Sequence, residues 1–261
     1  MKSIFSHIFL LLLFSYSLNA TEFRILTNEE PPTNYLDKNN KLTGITVDVV
    51  QELLKELNIK TDIEFMTWAR AFTIAQKNPN IALFTAGKTS YRMQQGFYFI
   101  GPVITKKHML YSKTSRDINI NSSLDIKTKN LKIAAMRGDW RARYFKDKGF
   151  EVYETANHVQ NIKKLMLDRV DLWTSSNIEA AFIARKANIN SKDIKASYEF
   201  QEIPSYIMLS KHTSKEDIRK WEKAFSDLQK TDFFEKTAKK WSMILNIDLE
   251  YSKSKGFYKK Q

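Results

Sequence analysis

Residues 81–85, Ile81-Ala82-Leu83-Phe84-Thr85, form a short apolar run entered through the turn signal Asn78-Pro79-Asn80. A brief apolar stretch bounded in this way reads as a strand buried on both faces, the kind found in parallel sheets covered by helices. Immediately upstream, residues 69–77 read as a helix and residues 61–65 as a strand. Before them Val47, Val50, Leu53, Leu54 and Leu57 recur at helical spacing, with Asp48, Glu52, Lys55 and Glu56 on the other face. A turn cluster at 38–44 precedes that helix, and residues 23–27 alternate like a strand that runs into the proline-bearing loop 28–34. Strand–helix–strand–helix–strand in this order predicts a parallel sheet with helices packed on it, an α/β fold.

Downstream the pattern restarts. An extended stretch at 103–112 and a polar loop through Lys129 lead to strands at 131–136, 150–153 and 170–174. Helices are expected between and after them, at 140–148, 157–167 and 178–186, the first opening at Gly138-Asp139. Residues 214–245 read as helical, with Ile218, Trp221, Phe225 and Leu228 on one face. The two units share no sequence repeat, so only the architecture recurs.

The chain has 261 residues, enough for one large domain or two modest lobes. It has no cysteine, which excludes disulfides, thiolate metal sites and cysteine nucleophiles. His7, His108, His158 and His212 lie far apart, which argues against a zinc centre. Residues 1–20 show the three parts of an export signal: basic Met1-Lys2, an apolar run at 4–14, and the small polar segment 15–20. Cleavage is expected after Ala20, or alternatively after Ser17; the apolar run falls short of the roughly 20 residues a membrane span needs. The net charge of +13 comes from lysines that acidic residues mostly interrupt, and no nucleic-acid motif accompanies it. Only residues 251–261 form a basic run, read as a frayed tail whose removal after Tyr251 should leave solute binding intact.

Several fragments occur in a telling order: Glu30-Pro31-Pro32-Thr33-Asn34-Tyr35, Leu42-Thr43-Gly44-Ile45-Thr46-Val47-Asp48, Trp68-Ala69-Arg70-Ala71, Thr89-Ser90-Tyr91-Arg92 and Phe97-Tyr98-Phe99-Ile100-Gly101-Pro102. Met136-Arg137-Gly138-Asp139 and Asp168-Arg169-Val170-Asp171-Leu172 follow in the second unit. Together they resemble the bacterial periplasmic solute-binding proteins of the polar amino-acid type, solute-binding family 3. The resemblance implies two α/β lobes hinged by two crossover strands, at 104–110 and 203–209. It places residues 21–105 plus 205–250 in lobe 1 and residues 110–200 in lobe 2, with a small-molecule ligand between them. It further implies a monomer in the periplasm, without cofactor or catalysis, that serves the membrane permease of an ABC transporter.

By the same resemblance Arg92 stands where the family binds a ligand carboxylate, a task suited to a planar guanidinium with paired donors; the alternative is a surface arginine on a helix. Thr85, Gly87 and Thr89 would supply a hydroxyl, a backbone amide and a second hydroxyl. Gly87 and Gly138 are expected where a side chain would obstruct. Asp139 either caps the helix it opens or touches the ligand, and Trp140 either covers the ligand or packs. Tyr35 would stack on the ligand, and Trp68 either lines the cleft or belongs to the core. At Ser176 the family's amino-acid binders usually carry an aspartate for the ligand ammonium. Unless Glu30 or another acid substitutes, this favours a carboxylate ligand over a zwitterion. Two other functions fit the same architecture: a ligand-sensing receptor component, or an enzyme resembling the cyclohexadienyl dehydratases, with Glu30 or Asp139 as general acid.

Overall fold

The computed structural model describes residues 23–260, so the export signal read in residues 1–20 lies outside the described part. The first unit runs β1 (Arg24–Thr27), the small ribbon β2 (Tyr35–Leu36) and β3 (Leu42–Thr43), α1 (Ile45–Glu56), β4 (Ile63–Phe65), α2 (Trp68–Lys77), β5 (Ile81–Gly87) and the short α3 (Ser90–Gln94). β4, β1 and β5 pair in parallel, in that spatial order. Residues 81–86 are all buried, as a two-sided strand requires. α1 buries Val47, Val50, Leu53 and Leu54 and leaves its charged face outward.

Next come β6 (Tyr98–Lys113), α4 (Ser123–Thr128), β7 (Ile133–Met136), α5 (Trp140–Asp147), β8 (Val152–Thr155), α6 (His158–Met166), β9 (Leu172–Ser176) and α7 (Ala180–Lys186). β8, β7 and β9 are parallel, and β9 joins β6 in antiparallel fashion. α4 falls inside the segment read as polar loop. Its signal was a capping box, in which the Ser122 side chain and Asp125 satisfy each other's backbone amides.

The chain returns through β10 (Ile194–Leu209), then α8 (Lys215–Leu228), α9 (Phe233–Leu245), β11 (Leu249–Ser252) and β12 (Gly256–Lys259). The helical stretch expected across 214–245 is therefore two helices, broken between Leu228 and Phe233. β6 and β10 are each 16 residues long and pair antiparallel from Ile194–Lys113 to Leu209–Tyr98. Their Tyr98 and Leu209 ends lie beside β5, and their Lys113 and Ile194 ends lie beside β9. Two long strands thus tie two half-sheets together, each with core clusters of its own. One half packs around Val50, Phe84, Trp221 and Trp241, and the other around Ile133, Phe145, Ile162 and Trp173.

The C terminus does not fray. β11 and β12 form a hairpin, and β12 adds to β6 at Phe257–Ile104. Phe257 is 0% exposed, set among Phe234 and Tyr251. Gly256 lies so near β6 that an added Cβ would stand 2.2 Å from the Val103 carbonyl. The basic run that looked like a solvated tail has an apolar inner face, because in a hairpin alternate residues point to opposite sides.

Candidate functional site

The carboxyl ends of β5, β7, β8 and β9 carry the polar residues that converge. At the end of β5, Thr85 adopts φ 64°, a left-handed conformation that is a genuine outlier for a β-branched residue and costs on the order of 1–3 kcal/mol. Its hydroxyl donates to Asn34 Oδ1 at 2.5 Å, which fixes the loop carrying Glu30 and Tyr35 against the strand. Two residues on, the Gly87 carbonyl accepts from Arg92 Nη1 at 2.6 Å. Thr89 caps α3, its hydroxyl accepting from the Arg92 amide at 3.3 Å.

The Arg92 guanidinium lies 4.6 Å over the Trp68 ring and 5.5 Å from the Phe72 ring, a cation–π arrangement that orients its plane. Trp68 packs against the core beneath α2, as its core reading has it, and also makes the platform for Arg92. Burial pushes the Arg92 pKa down, while the negative charge of Glu30 pushes it back up. Among the described residues no carboxylate stands within ion-pair distance of Arg92. Glu30 is instead paired with Lys106 on β6, whose side chain is only 5% exposed. Gly87 and Gly138 differ from expectation. A Cβ at Gly87 would make ordinary contacts at 3.7 Å, and one at Gly138 would meet nothing within 4 Å. Gly138 is required by its φ of +75°, not by crowding.

The second half contributes a buried charge network that the sequence did not reveal. Asp139 caps α5, accepting from the Arg141 amide at 2.8 Å, and its carboxylate also takes Arg141 Nη2 at 2.6 Å. Arg141 Nη1 reaches Glu179 Oε2 at 2.8 Å, and Arg141 Nη2 stands 2.9 Å from His158 Nε2. The Trp173 indole donates to His158 Nδ1 at 3.3 Å, and Ser175 Oγ to Glu179 at 3.0 Å. Asp139 thus takes the capping role, with a side chain 7% exposed. Ser176 is buried and caps the Glu179 amide at 3.1 Å. Asp139, His158 and Glu179 each follow the end of a parallel strand, and that much was legible; their meeting through Arg141 was not. Trp140 is 40% exposed beside them.

Two carboxylates share one guanidinium here. Burial raises Glu179, but the Arg141 charge outweighs it and holds the carboxyl at about 2; the same opposition leaves Asp139 lowered. Burial, and then Arg141, push the His158 pKa down despite the raising pull of Glu179. With His158 neutral, the network keeps one uncompensated negative charge. Its pH dependence has a definite sign. An unfolded chain would protonate His158 near pH 6.5 and the folded protein would resist it, so stability should fall as pH drops below about 6.5. It should fall further below about 4.5, as unfolded glutamate takes up protons that Glu179 refuses until about pH 2. Melting temperature measured from pH 8 to 3 should be level above neutrality and decline below it; a level profile down to pH 4 would refute this.

The two halves touch across the site. Tyr35 meets Phe182 of α7 edge-on at 5.1 Å, and Lys186 stands 3.6 Å from Glu29. Ile178, just beyond β9, is buried in the core cluster of the first half. The two half-sheets are therefore in contact through the loop that carries Glu29 and Tyr35. Among the described residues no helix is long and apolar enough to cross a membrane.

Comparison with known proteins agrees with this arrangement. The family model for bacterial extracellular solute-binding proteins, family 3, matches residues 23–244. The L-cystine-binding protein TcyA of Bacillus subtilis (strain 168) is 24% identical over 212 residues, which span 80% of this chain and 76% of that protein. An ancestral arginine-binding protein bound to arginine superposes with a TM-score of 0.67 at 23% identity, covering 84% of this chain and 97% of the other. ArgBP from T. maritima, in its P235GK mutant, gives a TM-score of 0.71 at 15% identity over 85% and 95% of the two chains. These neighbours share the two-lobed fold of periplasmic binding proteins.

Proposed function

Because the chain belongs to the bacterial extracellular solute-binding proteins of family 3, we propose that it captures a carboxylate-bearing, amino-acid-like solute between its lobes and delivers it to an ABC-transporter permease. On this reading lobe 1 comprises residues 21–105 and 205–250 with the C-terminal hairpin added, and lobe 2 residues 110–200. The protein works as a monomer in the periplasm. The observation that carries the reading is Arg92: a half-buried guanidinium, 4.6 Å over the Trp68 ring, with no carboxylate at ion-pair distance among the described residues. A closed cleft around such a group favours a ligand that brings the missing carboxylate.

Charge extends the reading to the rest of the solute. A carboxylate neutralises Arg92, and Glu30 already neutralises Lys106. The remaining negative charge of the Asp139–Arg141–Glu179 network then has no counterpart, and a ligand ammonium supplies one. The deficit at Ser176 is made good by acids at other positions. Binding energy gained from both lobes at once stabilises the closed form, the state a permease would recognise.

Calorimetry with the common L-amino acids and cystine, each beside its analogue lacking the amino group, tests this. An amino acid should bind in the micromolar range and its des-amino analogue at least about a hundredfold more weakly, as expected when a buried charge loses its partner. Equal binding of the two would reject the ammonium, and silence across the panel would reject the amino-acid reading. The family and the cystine-binding relative are binding proteins, not enzymes.

A further inference from the structure

His108 sits on β6, two residues beyond Lys106 and directly opposite Ser176 of β9 in the strand register. It was not singled out from the sequence as a binding residue, since a lone histidine on a crossover strand carries no motif. Its side chain is 5% exposed, and its Nδ1 is buried without a hydrogen-bond partner. The imidazole meets Trp140 edge-on, with ring centres 4.8 Å apart and planes at 89°, and Phe200 of β10 lies 6.3 Å away. Its neighbours are thus a wall of aromatic rings, the Lys106 that reaches Glu30, and the α5 terminus that carries Asp139.

Leaving a buried nitrogen unpaired costs on the order of 1–3 kcal/mol, and an apolar side chain of similar size would avoid that cost. Burial, then the positive charges of Arg141 and Lys106, push the His108 pKa well down, against a smaller upward pull from Asp139. The ring is therefore neutral at physiological pH and offers one donor and one acceptor. Neither nitrogen can serve as a fixed charge for a ligand.

We propose that His108 is a ligand-contacting residue of the second lobe, and that with Trp140 it selects a solute whose side chain carries an uncharged hydrogen-bonding group, an amide or a hydroxyl, next to apolar surface. This rests on the solute-binding reading of the cleft and goes beyond it by naming the part of the ligand that lies away from Arg92. An uncharged polar group pairs the orphaned nitrogen without bringing another charge beside Lys106 and the carboxylates. Trp140, 40% exposed and packed edge-on against His108, covers the carbon skeleton of that side chain.

The test uses the chain without its leader, the twenty common L-amino acids with cystine as probes, and three variants. Among the probes, those with an amide or hydroxyl side chain should bind wild type most tightly. His108→Phe keeps the ring packing and removes both nitrogens. It should melt no lower than wild type, because the unpaired nitrogen is gone, yet bind the best probe about tenfold more weakly, 1.4 kcal/mol. His108→Gln restores a donor and an acceptor and should recover most of the affinity. Trp140→Ala should weaken the same probe without altering the order of preference. In wild-type protein the imidazole nitrogen resonances of His108 should shift on saturation with the probe. A structural histidine would instead lose stability as Phe and leave affinity unchanged. Unchanged affinity in His108→Phe, or resonances indifferent to the probe because a water satisfies the ring, overturns the proposal while leaving the solute-binding reading intact. If wild type binds no probe at all, that reading fails first.

Discussion

Arg92→Leu should abolish solute capture, weakening the best-binding amino acid at least about a hundredfold, close to 3 kcal/mol, while leaving the melting temperature unchanged or slightly higher. The magnitude follows from hydrogen bonds to a charged group, about 1.5–3 kcal/mol each, with two offered by one guanidinium. The direction of the stability change follows from the folded protein's own geometry. Arg92 has the Gly87 carbonyl, the Trp68 and Phe72 rings and the more distant charge of Glu30 to offset its partial burial, but no carboxylate at ion-pair distance among the described residues, and burial still lowers its pKa. Folding therefore gains little from this charge, and removing it releases some strain. Arg92→Lys keeps the charge but neither the guanidinium–Trp68 contact nor the parallel donors, so it should remain at least tenfold weaker than wild type. Trp68→Leu should move affinity in the same direction by a smaller factor, since the guanidinium loses its platform. Calorimetry with thermal melts distinguishes the cases. Wild-type affinity in Arg92→Leu would remove the basis for placing the ligand carboxylate there.

A chain ending at Ser252 should be severely destabilised. The hairpin that looked like a tail buries Phe257 completely and pairs it with Ile104 of β6. It also touches both long strands. Thr105 Oγ1 donates to the Lys255 carbonyl at 2.6 Å, and Lys255 Nζ to Glu202 of β10 at 3.0 Å. Phe257→Ala alone should cost about 3–5 kcal/mol, which for a chain of this size lowers the melting temperature by roughly 6–20 °C. Replacing Lys253, Lys259 and Lys260 with glutamine should change stability by no more than about 0.5 kcal/mol each, as solvated surface positions usually do. If the lysine changes were harmful and Phe257→Ala harmless, the segment would be acting through its charge, as a basic tail, and not through packing.

The order of strands and helices was legible because each element carries its own periodic signal. Residues 81–85 and the α1 face declare themselves within a few residues of chain; Arg92 was singled out by the resemblance of its stretch to the family and not by a signal of that kind. What stayed hidden was of another kind. α4 was missed because its one turn of apolar surface is too short for periodicity, though its capping box was there to be read. The C-terminal hairpin was missed because Gly256-Phe257-Tyr258 sits among lysines whose charge dominates composition, while the burial of Phe257 depends on a partner strand 150 residues earlier, as the Lys255–Thr105 bond shows. Asp139, Arg141, His158 and Glu179 come from three strand exits, and no local pattern links them.

By itself the sequence determined the α/β class and the order of strands and helices in the two units, because hydrophobic period and turn residues are properties of neighbouring residues; the crossovers and the assignment of Arg92 to a carboxylate came from the resemblance to the family. Only the tertiary structure decided which charges cancel and which remain: that Glu30 is spent on Lys106, that two carboxylates share Arg141, that no carboxylate among the described residues pairs with Arg92, and that His108 Nδ1 has no hydrogen-bond partner. The reason is physical. Whether a buried polar group is satisfied depends on distances of about 3 Å between side chains far apart in the chain, and those distances come into being only when the sheet closes.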